Sequence, residues 1–185
     1  MARRAARILD EYLAAAARAG DRHAFDQLAG RWQPKLLAHA YRMIGDRELA
    51  REIVQDGWVD IVRGLSRLDD IAVFPAWAYR IISRRAVDKI RHLQRQRKIS
   101  AAYASEPQPA QPSGAVIEAG ADAAPLRQAM ATLPAEQRAA IALFYIEDFS
   151  VTEISIALSV PAGTVKTRLM HARRKMRAVL EGDTL

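Results

Sequence analysis

The sequence contains no cysteine. Disulfides, thiolate metal sites and thiol catalysis are therefore excluded. It has no apolar run of the roughly 18 residues that a membrane helix needs, so no membrane insertion is expected. Its Arg-rich start, MARRAARILDEYLAAAARAG, is interrupted by Asp10 and Glu11 and does not read as a signal peptide. These absences point to a cytoplasmic protein. The four histidines, His23, His39, His92 and His171, are scattered and lack metal-ligand spacing. There is no phosphate loop and no nucleophile elbow. No catalytic residue, metal site or cofactor is expected, and the chain does not read as an enzyme.

What the chain does have is positive charge. Its 185 residues carry a net charge of +7, with a pI near 10.1. Half of them are hydrophobic, enough to build a core. A basic surface can simply keep a protein in solution. The alternative is a polyanionic partner, with nucleic acid ahead of an anionic membrane surface.

The charge is unevenly distributed. Residues 105–125, SEPQPAQPSGAVIEAGADAAP, hold four of the eight prolines, three acidic residues and no basic one. Few of them can pack a core, so the segment reads as a flexible acidic linker. Residues 1–104 carry a net +8, the linker −3 and residues 126–185 +2. Both basic lobes read as helical, because Ala, Leu, Arg and Glu dominate and strand alternation is absent. The expected fold is all-α: two small helical domains joined by the linker.

In the first lobe Asp21 is placed to cap a helix, Pro34 to start another and Gly45 to end it. Asp46 is placed to cap a helix reaching about Leu65 despite Gly57. A loop, SRLDDIAV, precedes a long helix from about Phe74 or Pro75 to Lys98. The second lobe offers helices at about Asp122–Thr132, Pro134–Ile146, Ser150–Leu158 and Pro161–Glu181. Ser150 and Glu153 form a capping-box pair.

The final helix shows where the charge is aimed. Val165, Leu169, Ala172, Met176 and Val179/Leu180 form one apolar stripe. From Pro161 to Leu180 there are six basic residues and no acidic one. Only SVP separates this helix from the one before. Two helices joined so tightly, the second cationic, are a helix-turn-helix. The stripe docks on its own lobe and the other side meets DNA. Gly163 and Thr164 keep the helix start slim for close approach. Lys166, Thr167, Met170 and His171 are placed for base edges, and Arg168, Arg173 and Arg174 for phosphates. A solvated basic face and an amphipathic membrane helix are the competing readings. The latter would want Trp or Phe on the apolar side, and this helix has none.

The first lobe carries its own cationic helix. Arg80, Arg84, Arg85, Lys89, Arg91, Arg95, Arg97 and Lys98 stand against Asp88 alone. Phe74, Trp77 and Tyr79 lie at its start, where aromatic faces can take unstacked bases and cations can track a backbone. Trp77 reads more readily as core. Glu52, Gln55 and Asp56 share one helical face, a patch suited to a basic protein partner or simply a solvated one.

At this point the sequence resembles a known family. LPAEQRAAIALFYIEDFSVTEISIALSVPAGTVKTRLMHARRKMR is similar to region 4 of bacterial sigma factors of the extracytoplasmic-function (ECF) group. It matches through Leu133-Pro134, Gln137-Arg138, Glu153-Ile154 and Gly163 to Arg168. DRHAFDQLAGRWQPKLLAHAYRMIGDRELAREIVQDGWVDIVRGL resembles sigma region 2, and FPAWAYRIISRRAVDKIRHLQRQRK its promoter-reading end. The departures are His171, where the family usually has Arg, Arg84, where many members have Asn, and Arg51 and Gly57.

The resemblance implies a factor that binds core RNA polymerase and directs promoter-specific initiation. Region 4, with Thr164 to Arg174, would read the minus-35 element and touch the polymerase flap. Glu52, Gln55 and Asp56 would dock on the clamp helices of the largest subunit. The loop with Asp69 and Asp70 would hold a flipped base. Phe74, Tyr79, Arg80, Arg84, Arg85, Lys89 and Arg91 would recognise and melt the minus-10 element. An anti-sigma factor is implied as a further partner. Two other functions share the helix-turn-helix: a stand-alone regulator, and a sigma mimic that sequesters an anti-sigma factor. DNA binding with and without core polymerase separates the three.

Overall fold

The computed structural model describes residues 2–103 and 124–181. The expected linker falls almost wholly outside them, as do the side chains of Arg97 and Lys98. Among the described residues eight α-helices run in order: α1 (Ala2–Arg18), α2 (Arg22–Ile44), α3 (Arg47–Leu65), α4 (Phe74–Tyr103), α5 (Ala124–Ala131), α6 (Ala135–Tyr145), α7 (Val151–Leu158) and α8 (Ala162–Glu181). A 3-10 turn, Ile71–Val73, leads into α4. No strand occurs among the described residues.

Local chemistry sets most boundaries. Asp21 caps α2 by accepting from the Ala24 N–H at 3.1 Å, and Asp46 caps α3 through the Leu49 N–H at 2.9 Å. Gly45 ends α2 in the left-handed region, φ 78°, which a residue without Cβ adopts freely. Ser150 and Glu153 form the reciprocal capping box at α7.

Two elements differ from the sequence reading. Pro34 lies inside one continuous helix instead of opening a new one. Proline there removes a bond to the carbonyl four residues back. That residue is the exposed Gly30, and Pro34 is itself exposed, so the lost bond lies on the solvent side of the helix. α1 is an added helix. Its buried Leu13 and Ala14 pack on α2, and its buried Asp10 accepts from Arg31 Nε at 2.7 Å.

The two lobes share one hydrophobic core. α7 packs on α4 and α6 on α2. Phe149 sets its ring edge-on to Tyr79, centroids 5.4 Å apart. Arg138 Nε donates to the Arg42 carbonyl at 2.9 Å. Arg7 of α1 pairs with Glu153 of α7. Within lobe 1, Trp32 is the aromatic hub, edge-to-face with both Phe74 and Tyr79.

Candidate nucleic-acid and polymerase interfaces

α8 is held by the N-terminal part of its expected stripe; Met176 is half-buried, and Val179 and Leu180 are exposed. Val165, Leu169 and Ala172 are buried, while Thr164, Lys166, Thr167, Met170, Arg173 and Arg174 are exposed and His171 is half-buried. Met170 is 57% exposed, an unbranched apolar side chain standing on a cationic face. The Thr167 hydroxyl donates back to the Gly163 carbonyl at 3.1 Å, which leaves its methyl group and oxygen lone pairs at the surface. Two arginines are braced by their own lobe. Arg168 pairs with Glu136, and Arg173 Nε donates to the Tyr145 hydroxyl at 2.9 Å while lying over the Phe144 ring.

The cations of α4 divide into two stripes. At 3.6 residues per turn, Arg80, Arg84, Arg91 and Arg95 share a side, and all four are exposed. Arg85 and Lys89 turn towards α3. Arg85 Nε donates to Asp60 at 2.7 Å and its Nη1 to Asp56 at 3.0 Å, and Lys89 Nζ donates to Glu52 at 2.7 Å. The hydrogen bond from Arg85 holds the Asp60 carboxyl below its ordinary range, and the same bond raises Arg85.

Beside this ladder, α3 and α4 pack closely at Gly57. A Cβ there would meet Ile82 Cδ1 at 2.3 Å, so α4 lies closer to α3 than any other residue would allow without a shift. Gly64, one face-repeat later, faces Trp77 in the same way, with a Cβ contact of 2.7 Å. Trp77 is half-buried there, packed as core.

Three expected site groups sit differently from a simple surface. Phe74 and Tyr79 are fully buried and present no face to solvent. Burial, reinforced by Glu147, pushes the Tyr79 hydroxyl above its usual range. The acidic triplet on α3 is split: Glu52 and Asp56 engage α4, whereas Gln55 is exposed in line with Val59 and Val62. Asp70 is a scaffold, accepting from the Ala72 N–H at 2.9 Å, and Asp69 is exposed.

Surfaces that periodicity alone did not mark are two apolar grooves. One lies between α2 and α3, lined by Phe25, Ala29, Trp58, Val59 and Val62. The other, about 540 Å³, lies among α5, α6 and α8, lined by Leu126, Met130, Ile141, Tyr145, Met176 and Leu180. Exposed Val59 and Val62 at i, i+3, and exposed Tyr145 and Ile146 at a helix end, were the available signals. Beneath α4, His39 is fully buried against Ser83 Oγ at 2.9 Å. Desolvation, with Arg42 adding to it, lowers its pKa to about 3, so the ring is neutral. Arg42 is buried with Nε and Nη1 lacking partners. Among the described residues no helix is long and apolar enough to cross a membrane, and no His/Cys/Asp/Glu group could hold a metal ion.

Comparison with known proteins matches two stretches of the chain. Residues 28–96 match the model of Sigma-70 region 2, and residues 123–176 that of Sigma-70, region 4. The ECF RNA polymerase sigma factor SigW of Bacillus subtilis is 28% identical over 87% of this chain and 91% of its own length. The ECF RNA polymerase sigma factor SigM of Mycobacterium tuberculosis is 31% identical over 92% of this chain and 84% of its own. Among solved structures, CnrH in complex with the cytosolic domain of CnrY is similar with a TM-score of 0.63 and 26% identity, covering 95% of this chain and 99% of that one. With both helical blocks in order and a relative this similar along nearly the whole chain, the protein belongs to the ECF RNA polymerase sigma factors, transcription initiation factors that act with core RNA polymerase on promoter DNA.

Proposed function

We propose that this sigma factor reads the minus-35 element with the outward face of α8 and the minus-10 element with the exposed arginine stripe of α4 and the loop before it. The observation that carries the reading is the division of α8. Its stripe of Val165, Leu169 and Ala172 is buried, and Lys166, Thr167, Met170 and Arg174 remain exposed over its first four turns. A helix docked this way offers its N-terminal side chains to base edges in a major groove. On α4, Arg80, Arg84 and Arg91 are the phosphate contacts, because Arg85 and Lys89 are committed to α3.

Core polymerase docks on the outer face of α3. Gln55, Val59 and Val62 line up there beside the α2–α3 groove, with the half-exposed Glu52 and Asp56 at its edge. Such a surface takes a basic helix with an apolar seam, which suits the clamp helices. The lobe 2 groove suits an apolar helix of the flap, and an anti-sigma factor would compete by covering it. The solved structure of the sigma factor RpoE with the anti-sigma factor NepR from Bartonella quintana, at 23% identity and TM-score 0.66 over 86% of this chain and 98% of that one, shares the fold.

The protein works in the cytoplasm and makes or breaks no bond. It opens DNA by capturing unstacked bases. Elements about 25 base pairs apart are separated by roughly 85 Å of helix axis. Reading both at once therefore requires α7 to leave α4. In vitro transcription with core polymerase tests the proposal. Specific initiation that requires this protein is expected, and Lys166→Ala with Met170→Ala should relax minus-35 preference. Promoter binding by the isolated chain that core polymerase does not change would count against it.

A further inference from the structure

The loop between α3 and the 3-10 turn is tied down from outside its own helices. α3 ends with the Arg67 N–H on the Gly64 carbonyl and the Leu68 N–H on the Leu65 carbonyl. Downstream, Asp70 caps the 3-10 turn with its side chain and accepts the Val73 N–H on its carbonyl. The carbonyls of Leu68 and Asp69 fall between these two local systems. Arg18 supplies both: its Nη1 donates to the Leu68 carbonyl at 2.8 Å and to the Asp69 carbonyl at 3.4 Å.

Arg18 is itself well placed by its backbone. It occupies the last turn of α1, which closes with the Gly20 N–H on the Ala17 carbonyl and the Asp21 N–H on the Ala16 carbonyl. Gly20 takes φ 100°, a conformation that favours glycine. Asp21 then caps α2 at once. The guanidinium is thus delivered from a fixed turn, and α1 also packs on the 3-10 turn. Arg18 and the turn that carries it lie before the matched region 2 block, which begins at residue 28.

We propose that Arg18 is a positioning residue for promoter opening. It fixes the peptide groups on both sides of Asp69 while the Asp69 side chain stays exposed to meet an extruded base. A loop held before binding does not have to be ordered at the moment of capture, so more of the contact energy appears as discrimination between bases. The inference rests on the reading of this loop as part of the minus-10 surface.

The test uses holoenzyme assembled from core polymerase and the full chain, transcribing promoters randomised in the minus-10 and minus-35 elements. Arg18→Met keeps the long stem and removes the donors. It should flatten preference at one minus-10 position by about tenfold, with the minus-35 profile and core affinity unchanged. Arg18→Lys, which restores a cationic donor, should recover most of the preference. If Arg18→Met keeps the wild-type minus-10 profile while Asp69→Ala flattens it, Arg18 has no positioning role and the loop reading stands. If neither variant alters the profile, the loop reading itself fails and takes this inference with it. Equal losses at both elements and in core affinity would make Arg18 a general support of the fold and overturn the proposal.

Discussion

The two cationic helices of this chain hold their charge in opposite ways. α8 is anchored by an apolar stripe, and its cations either project or lean on neighbouring side chains of the same lobe. α4 is anchored by an apolar stripe and by an ion-pair ladder to α3, so part of its charge never faces outward. Counting basic residues along a helix therefore overstates its nucleic-acid surface where an acidic helix lies alongside. The difference also gives adjacent arginines separate roles. Arg80 and Arg84 are exposed, whereas Arg85, next in the chain after Arg84, is structural.

The largest expected effect comes from removing the anchor of α8. Leu169 is 3% exposed, and Leu169→Ala should cost about 2–5 kcal/mol of stability by urea denaturation. The same change at the exposed Met170 should leave stability nearly intact and weaken minus-35 recognition by about 1–3 kcal/mol in promoter binding by holoenzyme.

Acid sharpens the contrast from the other side, because a buried titratable ring lies under α4. His39 contacts Ser83 and Tyr79 of α4 and lies near Arg42 of α2, while Glu147 from lobe 2 faces Tyr79. Its pKa is about 3 in the fold and near 6.5 when unfolded. Below pH 6.5 the unfolded chain binds a proton that the folded chain refuses, so stability falls as pH drops towards 3. The slope should be about 1.4 kcal/mol per pH unit. His39→Gln should remove that slope, and paired denaturation curves at pH 7 and pH 5 would measure it.

The arginine division makes a finer distinction. Arg84→Ala should lower the salt slope of promoter binding by about one, as loss of one phosphate contact does. Arg85→Ala should leave the slope unchanged. The smallest effect is on stability at the ladder itself. Asp60 is partly exposed, and Asp60→Asn should change the urea midpoint little, as surface ion pairs do. Reversal at Asp56, a residue that also borders the polymerase face, should weaken core affinity more than it weakens the fold.

α8 and the capping box of α7 were legible in the sequence because both rest on contacts three or four residues apart. The buried stripe, the Ser150–Glu153 reciprocity and the ends of α3 follow from such spacing. The course of α2 through Pro34 was not, since burial of Trp32, Leu36 and His39 on either side outweighs one lost backbone bond. Nor were the partners of Arg85 and Lys89, which come from twenty-five or more residues away. Gly57 looked like a weak point in a helix and is instead where the Ile82 side chain of α4 packs, a place a Cβ could take only if that side chain shifted. The acidic triplet had the right spacing for one face, but spacing does not say what that face meets.

The Phe149–Tyr79 contact has a calorimetric consequence. Lobe 2 has about 60 residues, a size at which a helical unit buries too little surface to be more than marginally stable alone. Here it completes its core against α2 and α4. Two units that share buried side chains lose their structure together, so the free chain should absorb heat in a single transition. Phe149→Ala, which empties the shared part without touching either helix-turn-helix stripe, should split that transition in two, with lobe 2 melting first.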